Sequence, residues 1–201
     1  MAKTNKKIAY IDECGRGSVG GGAYVGVVVL TKNCLRRKPP LVNDSKKISK
    51  TKRELLVNEI QNWVESYGVG SSTAEEVDLY GINASLYLAA TRAYNLNEVD
   101  YIVLDGKHNW LNGNLYDVFG NKVITVSTAV ETVIKGDGSS VGLACASILC
   151  KVQHDSDVAE LMLESPEYLW DTHKGYPTQK HKILIKELGY TKHHRKTWKL
   201  T

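Results

Sequence analysis

Residues Ile8 to Ile11 form a short apolar run that ends in two adjacent acids, Asp12 and Glu13, and opens straight into a glycine-rich stretch, DECGRGSVGGG. Successive side chains of a β-strand point to opposite faces, so a strand ending this way cannot bury both carboxylates in one core. At least one must meet solvent or a cation. Two further acids stand in similar places. Asp105 closes the apolar stretch YIVLD and precedes Gly106, and Asp137 lies in KGDGSS just ahead of a run of small residues. Four carboxylates at element ends make a candidate site for two divalent cations, because Mg2+ and Mn2+ take hard oxygen ligands. Read singly, Asp105 and Asp137 are better explained as turn formers or helix caps.

Around these acids strand and helix patterns alternate. Lys7 to Ile11 and Tyr24 to Leu30 predict β-strands joined as an antiparallel pair by the glycine-rich loop. Ser49 to Val64 predicts an amphipathic helix capped by Ser49, with Leu55, Leu56, Ile60, Trp63 and Val64 at helical spacing. Val69 to Ala74 predicts a third strand and Ile82 to Tyr94 a second helix. Tyr101 to Leu104 and Lys122 to Val126 predict two more strands. Val141 to Leu163 predicts a long helix with small residues in its first turns, stopped by Pro166, and Thr178 to Leu188 a last helix. Trp63 and Trp170 are expected to pack internally. The fold class expected is α/β, a mixed central β-sheet flanked by α-helices, in one domain over residues 1–201.

The chain has 201 residues and no apolar run near the roughly 20 needed to span a bilayer. Asp12 interrupts the only apolar stretch near the N-terminus, so no signal peptide is expected, and the expectation is a cytoplasmic protein without a membrane partner. Its four cysteines, Cys14, Cys34, Cys145 and Cys150, show no CxxC spacing, which points to reduced thiols rather than a zinc site or a disulfide framework. The formal net charge is +4 but unevenly placed. Residues 173–201 carry eight Lys or Arg against Glu187 alone, a charge of +7 that leaves −3 for the remainder. Four of the six histidines fall in this helical, basic C-terminal segment, interleaved with Tyr176, Tyr190 and Trp198. Cations mixed with flat rings suit a nucleic-acid backbone; a solvated tail with no partner is the equal alternative on charge alone.

Seven motifs taken together resemble the ribonuclease HII family: DECGRG at Asp12 to Gly17, NDSKKIS at Asn43 to Ser49, LDG at Leu104 to Gly106, KGD at Lys135 to Asp137, CASILCKV at Cys145 to Val152, HKGYPT at His173 to Thr178 and HHRKTW at His193 to Trp198. The resemblance implies a ribonuclease H-like fold and metal-dependent endonucleolytic cleavage of RNA in RNA/DNA hybrids. Single ribonucleotides embedded in duplex DNA are included, and the products carry 3′-hydroxyl and 5′-phosphate ends. It places the catalytic and metal-binding roles on Asp12, Glu13, Asp105 and Asp137, with two Mg2+ or Mn2+ ions and Asp12 as the expected bridge between them. Gly15, Arg16 and Gly17 are implied to read the 2′-hydroxyl, and Tyr176 to pack on the neighbouring deoxyribose. Ser45, Lys46 and Lys47 are implied to hold a phosphate, and His194 and Arg195 to contact substrate in the basic segment. A monomer is expected.

The chain departs from the family at several places. Cys14 stands where Ala is common, Ser18 where Pro is, His154 where Arg is, and Thr197 and Trp198 where Ser and Phe are. Two other readings remain open at this point: a hybrid-binding protein that does not cleave, and a ribonuclease H-like nuclease acting on DNA alone. The intact acidic quartet argues against the first, since acids beside phosphates repel unless cations neutralise them. The GRG loop and Tyr176 argue against the second. The related ribonuclease HIII is disfavoured by Arg16 and by a first strand that begins at the start of this sequence.

Overall fold

The computed structural model describes residues 5–42, 47–111 and 126–200. Its strands are β1 (Ile8–Cys14), β2 (Tyr24–Leu30), β3 (Ser66–Ser71), β4 (Tyr101–Asp105) and β5 (Val130–Val133), joined in one sheet in the order β3-β2-β1-β4-β5. β2 runs antiparallel to both β1 and β3, while β4 runs parallel to β1 and to β5. The helices are α1 (Lys32–Leu35), α2 (Lys50–Trp63), α3 (Ala74–Tyr80), α4 (Ile82–Ala93), α5 (Val141–Glu160), α6 (Trp170–His173) and α7 (Gln179–Leu188).

All seven residues of β2 are buried because both faces of the sheet are covered. On one face Ala9, Ile11, Val25 and Val27 pack with Leu86, Ala89 and Ala90 of α4. On the other, Val28 and Leu30 pack with Leu56, Ile60 and Trp63 of α2 and Ile148 of α5. A strand covered on both sides reads as a continuous apolar run, which is how β2 is written. α5 lies unusually close to the sheet: a Cβ on Gly26 would sit 2.4 Å from the Ala146 carbonyl oxygen and 2.9 Å from Cys150 Cβ. The small residues at the start of α5 permit that approach. Val19, Val158, Tyr168, Trp170 and Ile185 form a third cluster beneath the C-terminal segment.

Helix caps fall where the sequence puts them. Ser49 accepts from the Lys52 amide at the start of α2, and Thr178 from the His181 amide at the start of α7. Several expectations need correcting. The third strand ends at Ser71, and Thr73 and Glu76 form a reciprocal capping box that opens α3, so Ala74 belongs to a helix. Leu55 is exposed; Leu56, Ile60 and Trp63 form the buried stripe of α2. The expected strand Lys122 to Val126 lies outside the described residues except for Val126, which is in no strand; the edge strand is Val130–Val133. α5 gives way after Glu160 to a 3-10 turn over Leu161–Leu163. Among the described residues no helix is long and apolar enough to cross a membrane.

The basic segment differs most from expectation. His173, His181, His194 and Arg195 are all buried. Desolvating a guanidinium or an imidazole is unfavourable unless its donors and acceptors are matched, and here they are matched internally. His194 and Arg195 are therefore scaffold rather than surface for substrate. The exposed cations of the segment are lysines, among them Lys180, Lys186, Lys196 and Lys199.

Candidate active site

The parallel pairing of β1 with β4 runs in register from Ile8 with Tyr101 to Ile11 with Leu104. The next residues on the two strands are Asp12 and Asp105, side by side at their C-terminal ends, a strand spacing of roughly 4.8 Å apart. Opposite them, the 3-10 turn Gly136–Gly138 carries Asp137 just ahead of α5. The turn is tied to β4 by the Gly136 amide, which donates to Asp105 Oδ1 at 2.6 Å. Glu13 follows Asp12 and points to the other face of the sheet, where Arg16 Nη1 approaches it at 3.7 Å.

The four acids, the loop residues Cys14 to Gly17, Ser147, Lys151 and Tyr176 line one cavity of about 420 Å³. Burial pushes Asp12 up to about 7, with the charges of Glu13 and Asp105 acting in the same direction against a hydrogen bond from Ser147. Burial also raises Glu13, and Arg16 opposes that rise. Carboxylates held so uneasily in the anionic form gain by taking a cation, and an all-oxygen donor set without imidazole or thiolate fits Mg2+ or Mn2+. Among the described residues no three His, Cys, Asp or Glu are already drawn round one point. Instead Asp12 Oδ1 accepts from the Glu13 amide at 2.8 Å, and Asp105 is engaged by Gly136.

The loop after β1 is held from below. Gly15 has φ +76°, and a Cβ there would meet the Gly22 carbonyl oxygen at 2.8 Å and the His154 ring at 3.1 Å. Arg195 donates to the carbonyl oxygens of Gly15, Arg16, Gly21 and Gly22. Arg16 is steadied by Asn83 Oδ1 at 2.8 Å. Tyr176 is half-buried at the cavity wall, its hydroxyl 3.8 Å from Cys14 Sγ. Its amide donates to the His173 carbonyl, and its own carbonyl lies 3.0 Å from His181 Nδ1.

Of the residues singled out in the sequence, Asp12, Glu13, Asp105, Asp137, Gly15, Arg16, Gly17 and Tyr176 share this cavity. Lys47 is exposed and does not line it, and Ser45 and Lys46 lie outside the described residues. His194 and Arg195 sit beneath it. Sequence reading gave no individual role to Ser147 or Lys151, and Asp155 entered only as a salt-link partner of His154, which the structure pairs with it at 2.9 Å. The three follow one another at intervals of four along α5 and so share one face of the helix, with Ser147 set among the small and apolar residues of its first half; that spacing was the available signal.

Among solved structures, the ribonuclease H2 of Pyrococcus horikoshii superposes with a TM-score of 0.73 at 24% identity, over 96% of this chain and 94% of that one. A mixed five-stranded sheet with helices on both faces is the ribonuclease H-like fold. Sequence comparison narrows this. The ribonuclease HII family model matches residues 9–201. The ribonuclease HII of Streptomyces avermitilis is 38% identical over 195 residues, covering 96% of this chain and 77% of that protein, and the ribonuclease HII of Phocaeicola vulgatus is 36% identical over 189 residues, covering 94% and 87%. The chain belongs to the ribonuclease HII family. Its activity is that of a type 2 ribonuclease H, a divalent-metal-dependent endonuclease acting on RNA/DNA hybrids.

Proposed function

We propose that this chain, as one catalytic domain, cuts the RNA strand of hybrids and incises on the 5′ side of single ribonucleotides embedded in duplex DNA, leaving 3′-hydroxyl and 5′-phosphate ends. Such an activity serves ribonucleotide removal and RNA primer removal. The observation that carries the reading is the convergence of four carboxylates, the GRG loop and Tyr176 on a single cavity.

Asp12, Glu13, Asp105 and Asp137 hold two Mg2+ or Mn2+ ions. When bound, such ions activate a water, neutralise charge on the phosphate and stabilise the leaving oxygen. The chain itself supplies the placement. β1 and β4 set Asp12 beside Asp105, the bond from Gly136 fixes the turn that carries Asp137, and Ser147 steadies Asp12 from α5. Gly15, Arg16 and Gly17 read the 2′-hydroxyl, the group that separates RNA from DNA at a given position. A Cβ on Gly17 would meet nothing within 4 Å, so packing within the protein does not call for glycine there; close approach of a sugar does. Tyr176 packs on the deoxyribose that follows. Lys47, with Ser45 and Lys46, contacts a phosphate further along the duplex, and the exposed lysines of residues 173–201 add charge along the backbone. The protein acts as a monomer.

Three labelled duplexes test the reading: one with a single embedded ribonucleotide, one continuous RNA/DNA hybrid and one all-DNA, each with Mg2+, with Mn2+ and with chelator. Metal-dependent cutting 5′ of the lone ribonucleotide, and none in plain DNA, is the expected result. Binding without cutting, or cutting of plain DNA, defeats it.

A further inference from the structure

We propose that Cys14 is a site of reversible oxidation by peroxides, with His154 as the base that takes its proton and Asp155 as the residue that orients the base. Oxygen added there closes the active site. The modification stands on geometry alone; its effect on cleavage rests on the function proposed above.

Cys14 and His154 are two of the positions at which the chain departs from its family, and the fold brings them together. Cys14 ends β1 on the same face as Asp12, since strand residues two apart point the same way. His154 lies two turns after Ser147 on α5 and so returns to the same side of that helix. The pair therefore faces across the same gap that Asp12 and Ser147 span. The Nε2 edge of the ring is turned to the loop after β1, where a Cβ on Gly15 would lie 3.1 Å from it.

His154 is fully buried, and among the described residues its Nε2 has no hydrogen-bond partner. Its Nδ1 lies 2.9 Å from Asp155 Oδ1, which places the proton of a neutral ring on Nδ1 and leaves the Nε2 lone pair open. Burial alone would lower the pKa of this ring; the bond to Asp155 and the Cys14 thiol outweigh it and hold the pKa above the usual value. Asp155 is itself fixed by Lys151 Nζ at 2.7 Å and Arg53 Nη2 at 3.7 Å. A thiol, a base beside it and a third group orienting the base are the parts of an activated sulfur nucleophile. Access separates Cys14 from the other thiols. It lines the cavity of the four acids, whereas Cys34, Cys145 and Cys150 are buried.

In the reaction Cys14 Sγ attacks one peroxide oxygen and the O–O bond breaks. The thiol proton passes to His154 Nε2 and on to the departing hydroxide, which leaves as water. Sulfur is oxidised to the sulfenic acid by the two electrons that reduce the peroxide. A small thiol reverses the step, leaving as its disulfide with the oxygen released as water. Sγ is 3.8 Å from the Tyr176 hydroxyl, so the added oxygen stands between the acids and that ring, where the sugar must come.

The test treats metal-free protein in chelator with hydrogen peroxide and traps sulfenic acid with dimedone for mapping by mass spectrometry. A parallel sample without dimedone is assayed with Mg2+ on the embedded-ribonucleotide duplex, before and after a small thiol. Cys14 should carry the label. Cleavage should fall at least roughly tenfold and return with the thiol. Cys14→Ala should cut normally before and after peroxide. His154→Asn, whose amide can still donate to Asp155, should slow labelling at least roughly tenfold while its cleavage in the reduced state changes far less. Label on another cysteine or on none overturns the proposal, as does full cleavage by the oxidised protein or equal peroxide loss in Cys14→Ala. Equal labelling rates with and without His154 remove the base. Should Cys14→Ala fail to fold, Cys14→Ser replaces it, and the mapping needs no variant. A wild type that does not cut before peroxide would refute the function proposed above, a result the labelling distinguishes.

Discussion

Arg195 Nη2 donates to the carbonyl oxygen of Gly15 at 2.7 Å across 180 residues of chain. The same guanidinium bonds the carbonyls of Arg16 at 3.0 Å, Gly21 at 3.1 Å and Gly22 at 2.8 Å, so it closes both limbs of the loop that follows β1. Burial lowers its pKa only to about 10, which leaves it charged at neutral pH. A residue that the family resemblance implied would contact substrate is instead the buried clamp of the loop after β1.

Removing the clamp leaves buried carbonyls without donors. Arg195→Ala should destabilise the protein by about 2–4 kcal/mol and lower its melting temperature by several degrees. Arg195→Lys keeps a charge but not the fork of donors, and should recover less than half of that loss. Thermal unfolding of the three proteins decides it; a lysine variant as stable as wild type would remove the clamp from the account.

Asp12 yields a prediction with a definite sign. Its folded pKa, pushed by burial to about 7 from 3.8, means that the folded state holds the proton more tightly than the unfolded state does. Its contribution therefore favours folding at low pH and is lost as pH rises from about 4 through about 7. Chelator-treated wild type should lose stability relative to Asp12→Asn over that interval, by at most about 4 kcal/mol, and millimolar Mg2+ should restore it in wild type only. Asp12→Asn should abolish cleavage and keep hybrid binding. Equal melting temperatures of the two proteins at pH 8 in chelator would contradict the cause assigned to the shift.

β1, β2 and β4, the long helices and the cavity-facing acids were legible because each leaves a local mark: a β-branched run, a 3.6-residue period, an acid at the end of a strand or before glycine; β5 at Val130–Val133 was not read. Asp12 and Glu13 had to diverge, and they do, one toward α5 and the other toward Arg16. What failed was reading charge as surface. His194 and Arg195 sit in a segment of high positive charge, but composition carries no information on which cations meet buried carbonyls at the far end of the chain. The start of α3 was legible and overlooked, since Thr73 and Glu76 stand at capping-box spacing. The spacing of Ser147, Lys151 and Asp155 was also visible as a period of four; its meaning required knowing that Gly26 lets α5 lie against the strand that bears Asp12.

That contact predicts the effect of one methyl group. In Gly26→Ala the new Cβ would fall 2.4 Å from the Ala146 carbonyl oxygen, a backbone atom that cannot turn aside. α5 must lift from β2, carrying Ser147 away from Asp12. We expect a loss of about 1–3 kcal/mol in stability and a fall in kcat of at least roughly tenfold for a misplacement of this size. Unfolding and steady-state turnover measured together check it; full activity in this variant would show that the spacing of α5 does not set the site.

The buried histidines set the acid limit of the fold. The Thr191 amide donates to His194 Nδ1 at 2.9 Å, which leaves the proton of a neutral ring on Nε2, directed at His181 Nε2 at 3.1 Å. His181 then carries its proton on Nδ1, 3.0 Å from the Tyr176 carbonyl. His173 accepts from the Gly175 amide on Nδ1 and lies 2.7 Å from the Tyr168 carbonyl through Nε2. Each tautomer is fixed, and a second proton on any ring would face a donor. Burial lowers His181 to about 4, and burial with the neighbouring histidines lowers His194 to about 3. Because these folded values lie below the unfolded 6.5, the unfolded state binds more protons in acid. Stability is whole above about 6.5 and falls as pH drops toward 4 and 3, the opposite sense to Asp12. In His194→Asn the amide oxygen can still accept from Thr191 while the titrating ring is gone, so the loss of stability between pH 7 and pH 4.5 should shrink. Nitrogen NMR should find His194 protonated on Nε2 and His181 on Nδ1; the reverse assignment, or an unchanged acid slope in the variant, would show that Tyr176 is not held by this chain of rings.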